Sequence, residues 1–253
     1  MPAPSDAKAA FASTRWSVIY RAGTDSSEDS RAAMASLCES YWYPIYAFVR
    51  GRGHDHHDAA DLTQGLFAFL IEQNCFNRLD PSQGRFRAFL LASMKNYMSD
   101  DWRRRKSLKR GGLMKGISVE MAEFDLRYQL QLSDNCSAEV LFERGWVESL
   151  LTRVLQLLRR DYEKAGKPEF FELLSDYLVA TGKRLPQAEI AKRLGMSVPA
   201  VTMSLQRMRK RYVAILRQEL AHTVLDPADI DDELQNLKAT MAATNYVGNQ
   251  YLK

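Results

Sequence analysis

The sequence predicts an all-α protein of two helical domains joined by a flexible linker. Three observations carry that expectation. Apolar residues recur at helical spacing through most of the 253 residues, while the period-two alternation of strands is nearly absent. The periodicity lapses between Gly111-Gly112 and about Ser137, where the chain turns acidic. Residues 187–211, QAEIAKRLGMSVPAVTMSLQRMRKR, have the layout of two helices about a glycine turn.

The elements follow in order. An N-terminal lead, residues 1–30, carries Phe11, Trp16 and Ile19. The first domain spans residues 31–110. Its first helix runs from about Arg31 to Arg50, with Leu37, Tyr41, Ile45, Phe48 and Val49 on the apolar side, and Gly51 and Gly53 end it. A second helix starts near Asp58, placed to cap it, and buries Leu62, Leu66, Phe69 and Leu70. The turn Asp80-Pro81-Ser82-Gln83-Gly84 precedes a third, from Arg85 to about Lys106, with Phe86, Phe89, Leu90 and Tyr97 inward. Residues 111–138 read as an acidic linker with room for one short helix.

The second domain spans residues 139–222. Val147, Leu150, Leu151, Val154 and Leu158 mark a strongly amphipathic helix. Phe170, Leu173, Leu174, Tyr177 and Leu178 mark another, ahead of the helix-turn-helix layout. Residues 223–253 read as an acidic and polar tail, opening with Asp226 to Glu233 and solvated.

Composition narrows the function class. Hydrophobic content of 46% suits a soluble globular chain, not a disordered one. The net charge of +4 is modest, but its distribution is uneven. Arg103 to Arg110 holds six basic residues in eight. From Glu120 to Arg144, Glu120, Glu123, Asp125, Asp134, Glu139 and Glu143 stand against only Arg127 and Arg144. Basic blocks set apart by an acidic stretch point to a polyanion held by selected surfaces. Cys38, Cys75 and Cys136 form no CxxC pair and no disulfide framework, which points to a reducing cytoplasm. No apolar run approaches the ~18 residues of a bilayer span, and the N-terminus lacks a secretory core, so no membrane insertion is expected.

Three segments carry candidate chemistry. In the helix-turn-helix, Ile190, Leu194, Val201, Leu205, Met208 and Tyr212 form an apolar seam, Gly195 marks the break, and Ser197 is a natural N-cap. The opposite face carries Thr202, Met203, Gln206, Arg207, Arg209, Lys210 and Arg211, a polar and basic set suited to a major groove. An ordinary buried helix pair is the alternative. In Asp58 to Gln64 (DAADLTQ), Asp58, Asp61 and Gln64 occupy neighbouring surface positions with Leu62 turned inward; a solvated face with a capping acid is the alternative. In the third helix, Asn96, Asp100, Arg103 and Arg104 share one stripe beside aromatics able to support unstacked bases.

His54-Asp55-His56-His57-Asp58 looks like a metal cluster, but adjacent residues on one loop seldom converge on an ion. No nucleophile elbow, phosphate loop or zinc signature occurs, so no catalytic set, metal or cofactor is expected.

Taken together, DAADLTQ, the Asn96…Asp100…Arg103-Arg104 spacing and EIAKRLGMSVPAV…LQRMRKR resemble the extracytoplasmic-function group of bacterial RNA polymerase sigma factors. The resemblance runs from about Ala35 to Leu220 without the linker, with each motif in the family's order. It implies a region 2-like bundle and a region 4-like helix-turn-helix domain that direct core RNA polymerase to promoter DNA. The segment matching Asp58 to Gln64 docks on the clamp helices of the polymerase's largest subunit, which implicates Asp58, Asp61 and Gln64. The segment matching Asn96 to Arg105 takes the minus-ten element, which implicates Asn96, Tyr97, Asp100, Trp102, Arg103, Arg104 and Arg105. The helix-turn-helix reads the minus-thirty-five element, which implicates Ser197, Ala200, Thr202, Met203, Gln206, Arg207 and Lys210. An anti-sigma factor or other protein regulator is a further candidate partner.

The chain departs from the family in places. Thr202 and Ser204 stand where members often carry Lys or Arg, and Lys164 to Arg184 exceeds the compact form. Two other functions fit parts of the sequence. One is a free-standing helix-turn-helix regulator whose N-terminal half is an effector or dimerisation domain. The other is a nuclease using Asp58, Asp61, Asp100 and Asp101 around a metal.

Overall fold

Helix α1, Glu28–Gly51, organises the first unit of the computed structural model. The structure describes residues 28–73, 75, 86–107, 124–129, 136–178, 184–221 and 227–243, and no strand occurs among them. The chain divides into two compact units, residues 1–146 and 147–253.

In the first unit, Tyr41, Tyr43, Ile45, Tyr46, Ala47, Phe48 and Val49 of α1 are at most 2% exposed. A helix apolar on all sides must be wrapped by other elements. Helix α2, His56–Glu72, contributes Leu62, Leu66, Phe67 and Leu70, and Phe67 stacks on Trp42 with ring centroids 5.9 Å apart. Helix α3, Phe86–Ser107, contributes Leu90 and Met94, and sets Phe86 edge-on to Tyr41 at 5.2 Å. Pro44 lies inside α1. A proline in a helix interior loses one hydrogen bond and costs about 3 kcal/mol, which the burial of its aromatic neighbours offsets. Gly145 permits close approach at that point: a Cβ there would lie 3.2 Å from the Pro44 Cα and from the Tyr43 ring.

The acidic segment expected to be a linker is partly built into this unit. Residues 124–129 form a short helix, α4, laid on α1. Phe124 packs on Tyr43 and Tyr46 at 5.8 and 6.2 Å. Asp125 accepts a hydrogen bond from the Tyr46 hydroxyl at 3.2 Å and pairs with Arg50 at 3.0 Å. Burial, reinforced by the Asp125 carboxylate, raises the Tyr46 phenol above its ordinary value and keeps it a neutral donor. Arg127 stacks on Tyr43 at 3.6 Å. The first turns of α5, Ala138–Lys164, belong here too, with Leu141, Phe142 and Trp146 buried. The division between the two compact units falls inside α5, between Trp146 and Val147.

In the second unit the rest of α5 buries Val147, Leu150, Leu151, Val154 and Leu158. Helix α6, Pro168–Leu174, and the 3-10 turn Ser175–Tyr177 follow, burying Phe171, Leu174 and Leu178; Phe171, not Phe170, is the core aromatic. Helices α7, Gln187–Arg193, and α8, Val198–Ala221, form the helix-turn-helix.

The solvated-tail expectation needs correction. After the 3-10 turn Pro227–Asp229, residues Ile230–Ala243 form α9, packed on α8. Glu233 and Leu237 are fully buried and Met241 is 6% exposed, at successive four-residue steps. Asp231 pairs with Arg217 of α8 at 2.7 Å. Asp231, Asp232 and Glu233, which suggested a tail, occupy the first turn of α9, where negative charge suits the helix macrodipole. Among the described residues no helix is long and apolar enough to cross a membrane.

Because Leu237 is part of the core, Leu237→Ala is expected to cost about 2–5 kcal/mol in urea unfolding. An unchanged midpoint would show that α9 contributes nothing to the second unit.

Candidate nucleic-acid interface

The outward face of α2 is set by its start. Asp55, not Asp58, is the N-cap: its carboxylate accepts the Asp58 backbone N–H at 2.8 Å, and its carbonyl accepts that of Ala59 at 2.9 Å. The backbone N–H of Asp58 is the main reason the Asp55 carboxyl sits below its usual range. With the helix beginning at His56, buried Ala59, Leu62, Thr63 and Leu66 fix one side. Asp61 and Gln64 then emerge exposed, with Asp58 half-exposed at the flank. The imidazole of His54 approaches the Asp58 carboxylate at 4.0 Å, and His56 and His57 lie ring against ring. Among the described residues no group of three His, Cys, Asp or Glu side chains is arranged to hold a metal ion.

On α3, Asn96 and Asp100 are exposed one turn apart. Lys95 beside them pairs with Glu139 of α5 at 2.9 Å, and that hydrogen bond draws the Glu139 carboxyl below its ordinary range. Tyr97 turns toward α2. Its ring lies 5.8 Å from that of Phe69, and a Cβ on Gly65 would run into its hydroxyl. Tyr97 is thus a half-buried strut between the two helices. It draws together the α2 face at Gln64-Gly65 and the α3 face at Asn96. Trp102, Arg103, Arg104 and Arg105 continue α3 along the backbone, but their side chains lie outside the described residues.

Phe69 was expected in the core and is 37% exposed. The helical spacing assigned it inward because Leu66 and Leu70 flank it. The tertiary arrangement instead sets it at the edge of α2 against Tyr97. Neither this contact nor the clearance at Gly65 has a signal in the sequence.

In the second unit, the turn of the helix-turn-helix rests on Gly195, with φ +62°, a region costly for residues bearing a Cβ. There the Met196 N–H reaches back to the Ala191 carbonyl at 2.9 Å, closing α7. Ser197 opens α8: its Oγ accepts the Ala200 N–H at 3.4 Å and its carbonyl accepts that of Val201 at 3.1 Å. Ile190, Val201, Leu205, Met208 and Tyr212 are buried as one seam, and Leu194 is half-buried at its edge.

The outward side differs in detail from expectation. Met203, Gln206, Arg207 and Lys210 are exposed. Thr202 is half-buried; its hydroxyl donates to the Gln187 side-chain oxygen at 2.8 Å and lies 3.2 Å from the Val198 carbonyl. Arg211 is held by Asp161, 2.7 Å from its Nε, and Arg209 is half-buried. The exposed cations among these are therefore Arg207, Lys210 and Arg211, the last of them tied to Asp161. Val198, 43% exposed, and Pro199, also exposed, join the surface although the sequence pattern singled out neither.

Residues 37–108 match the family model described as Sigma-70 region 2. The segment covers less than a third of the chain and contains all of α2 and α3 with both of their candidate faces. It supports a sigma factor of the sigma-70 family, with a role in RNA polymerase binding and promoter recognition. Comparison with curated proteins found no match, and comparison with solved structures found none either.

Two outcomes follow from this geometry. Gly65→Ala and Tyr97→Phe are expected to be non-additive, with a coupling of about 0.5–3 kcal/mol in a double-mutant unfolding cycle. Removing the hydroxyl makes room for the alanine, so additivity would contradict the contact. Asp55 should make stability depend on pH. Its folded pKa lies below the ordinary value of 3.8, so its contribution is complete above that value and drains as pH falls through the folded one. Asp55→Asn keeps an acceptor at the cap without titrating. The stability difference between the proteins should therefore shift only on the acid side, as read by denaturation from about pH 6 to about pH 2.

Proposed function

We propose that this chain is a sigma factor of the extracytoplasmic-function group, acting in the cytoplasm through binding and not catalysis. The match of residues 37–108 to sigma-70 region 2 carries the proposal, because α2 and α3 both fall within it. Asp58, Asp61 and Gln64 dock the first unit on core RNA polymerase. Asn96, Asp100, Trp102, Arg103, Arg104 and Arg105 take the minus-ten element, with Tyr97 bracing α3 against α2. The helix-turn-helix takes the minus-thirty-five element on the face that carries Met203, Gln206, Arg207 and Lys210. Ser197, Ala200 and Thr202 stand at the start of the reading helix, beside that face.

The physical division of labour favours this assignment. Arg and Lys supply sequence-blind attraction to phosphates, and base edges are read by the remaining outward positions. Stacking on an unpaired base is worth ~1–3 kcal/mol, enough to bias strand opening but not to drive it, so the polymerase must share the work. Two weak DNA contacts tethered through one enzyme then gain by effective concentration. An anti-sigma factor or other protein regulator would act by covering one of these faces.

Reconstitution with core polymerase tests the reading. The full chain should bind the core and start transcripts from specific promoters. Asp61→Arg should weaken core binding tenfold or more, about 1.4 kcal/mol, with an unchanged circular dichroism spectrum. Tight, specific duplex binding by the isolated chain, with no affinity for the core, would instead mark a free-standing regulator.

A further inference from the structure

The outward stripe of α8 has an unusual chemical order. Pro199, Met203, Gln206 and Lys210, at steps of four, three and four, all lie exposed on the side opposite the Val201–Leu205–Met208–Tyr212 seam. Met203 is 50% exposed, and Val198 beside the stripe is 43% exposed. Apolar side chains grouped on an outward helical face can pack against an apolar feature of a partner. The first two turns, Val198 to Leu205, contain no Arg, Lys, Asn or Gln. Their one hydroxyl near the stripe, on Thr202, is engaged by Gln187 and the Val198 carbonyl. Arg207 and Lys210 come only after Gln206, and both are exposed.

Guanine is read in the major groove chiefly by Arg or Lys reaching its O6 and N7. This end of α8 offers nothing of that kind. The thymine 5-methyl group is the one apolar feature a base edge presents there, and Gln matches the N6 and N7 of adenine. We infer that α8 reads an A·T-rich duplex element, with thymine methyl groups against Pro199 and Met203 and adenine opposite Gln206. Arg207 and Lys210 neutralise the flanking phosphates without adding sequence preference. The occupant is thus double-stranded DNA, argued from cations and apolar side chains sharing one face. The inference rests on the sigma-factor reading and specifies the minus-thirty-five element that reading leaves open.

The test uses the full chain with core polymerase on promoters randomised across the minus-thirty-five region, scored by transcripts. Enrichment of thymine and adenine is expected. Replacing the enriched thymines by deoxyuracil, which lacks only the methyl group, should lower initiation about fourfold for each methyl removed from the α8 face. Met203→Ala should erase the difference between thymine and deoxyuracil templates at one position. Enrichment of G·C pairs, or equal initiation from thymine and deoxyuracil templates, would overturn the inference while specific initiation kept the sigma-factor reading intact. Absence of any promoter-specific initiation would bring down that reading, and the inference with it.

Discussion

Between Tyr41 and Val49, α1 loses almost all contact with water, and the first unit is arranged around that loss. One neighbour cannot cover a helix buried on every side, so α2, α3, α4 and the first turns of α5 each take part of its circumference. Fully burying a large apolar side chain is worth roughly 1.5–3 kcal/mol, and several such residues outweigh the break that Pro44 introduces. The faces of α2 and α3 left over from this wrapping are the ones that present Asp61, Gln64, Asn96 and Asp100. Their positions are inherited from the packing behind them, which gives side chains on helices a firmer placement than loops provide.

Charge is sorted by the same packing. Asp125 meets Arg50 and Tyr46, Glu143 meets Arg87, and Glu139 meets Lys95. In the second unit Glu219 meets Arg153, and Asp161 meets Arg211. The more exposed of these pairs contribute little to stability, on the order of 0–1 kcal/mol. Their larger consequence is for binding, because each pair takes one cation or carboxylate out of the field a partner meets. A net charge of +4 says little about the outcome. What matters on α8 is that Arg207 and Lys210 are exposed, while the charge of Arg211, also exposed, is met by Asp161.

The second unit shows how one helix serves two ends. The seam of α8 from Val201 to Leu220 holds it to its neighbours, including α9 through Leu237 and Met241. Gly195 and the Ser197 cap fix where α8 begins and therefore which residues face away. A shift of one residue at that start would turn Met203 and Gln206 about 100° around the helix axis. The turn chemistry consequently decides which residues α8 presents on its outward face.

Periodicity in the sequence was sufficient for the all-helical character, the seam of α8, the turn at Gly195 and the outward setting of Asp61 and Gln64. Each is decided by neighbours within one or two turns, where backbone geometry leaves little choice. Several features depended on residues far apart in the chain. Asp125 reads as a solvated linker acid until Tyr46 and Arg50 are beside it. Phe69 reads as core until Tyr97 meets it at the rim of α2, and the fit of the Tyr97 hydroxyl against Gly65 depends on two helices being brought together. Asp226 to Glu233 read as a tail because their acids outweigh the few apolar residues that follow; Leu237 and Met241 count only once α8 lies under them. A linear pattern records which side of a helix is apolar, but partners are chosen by three-dimensional proximity. The helical periods and their main apolar faces were therefore settled by the amino-acid order alone, while the exposure of residues at the edges of those faces and the company each charged group keeps were settled by tertiary packing.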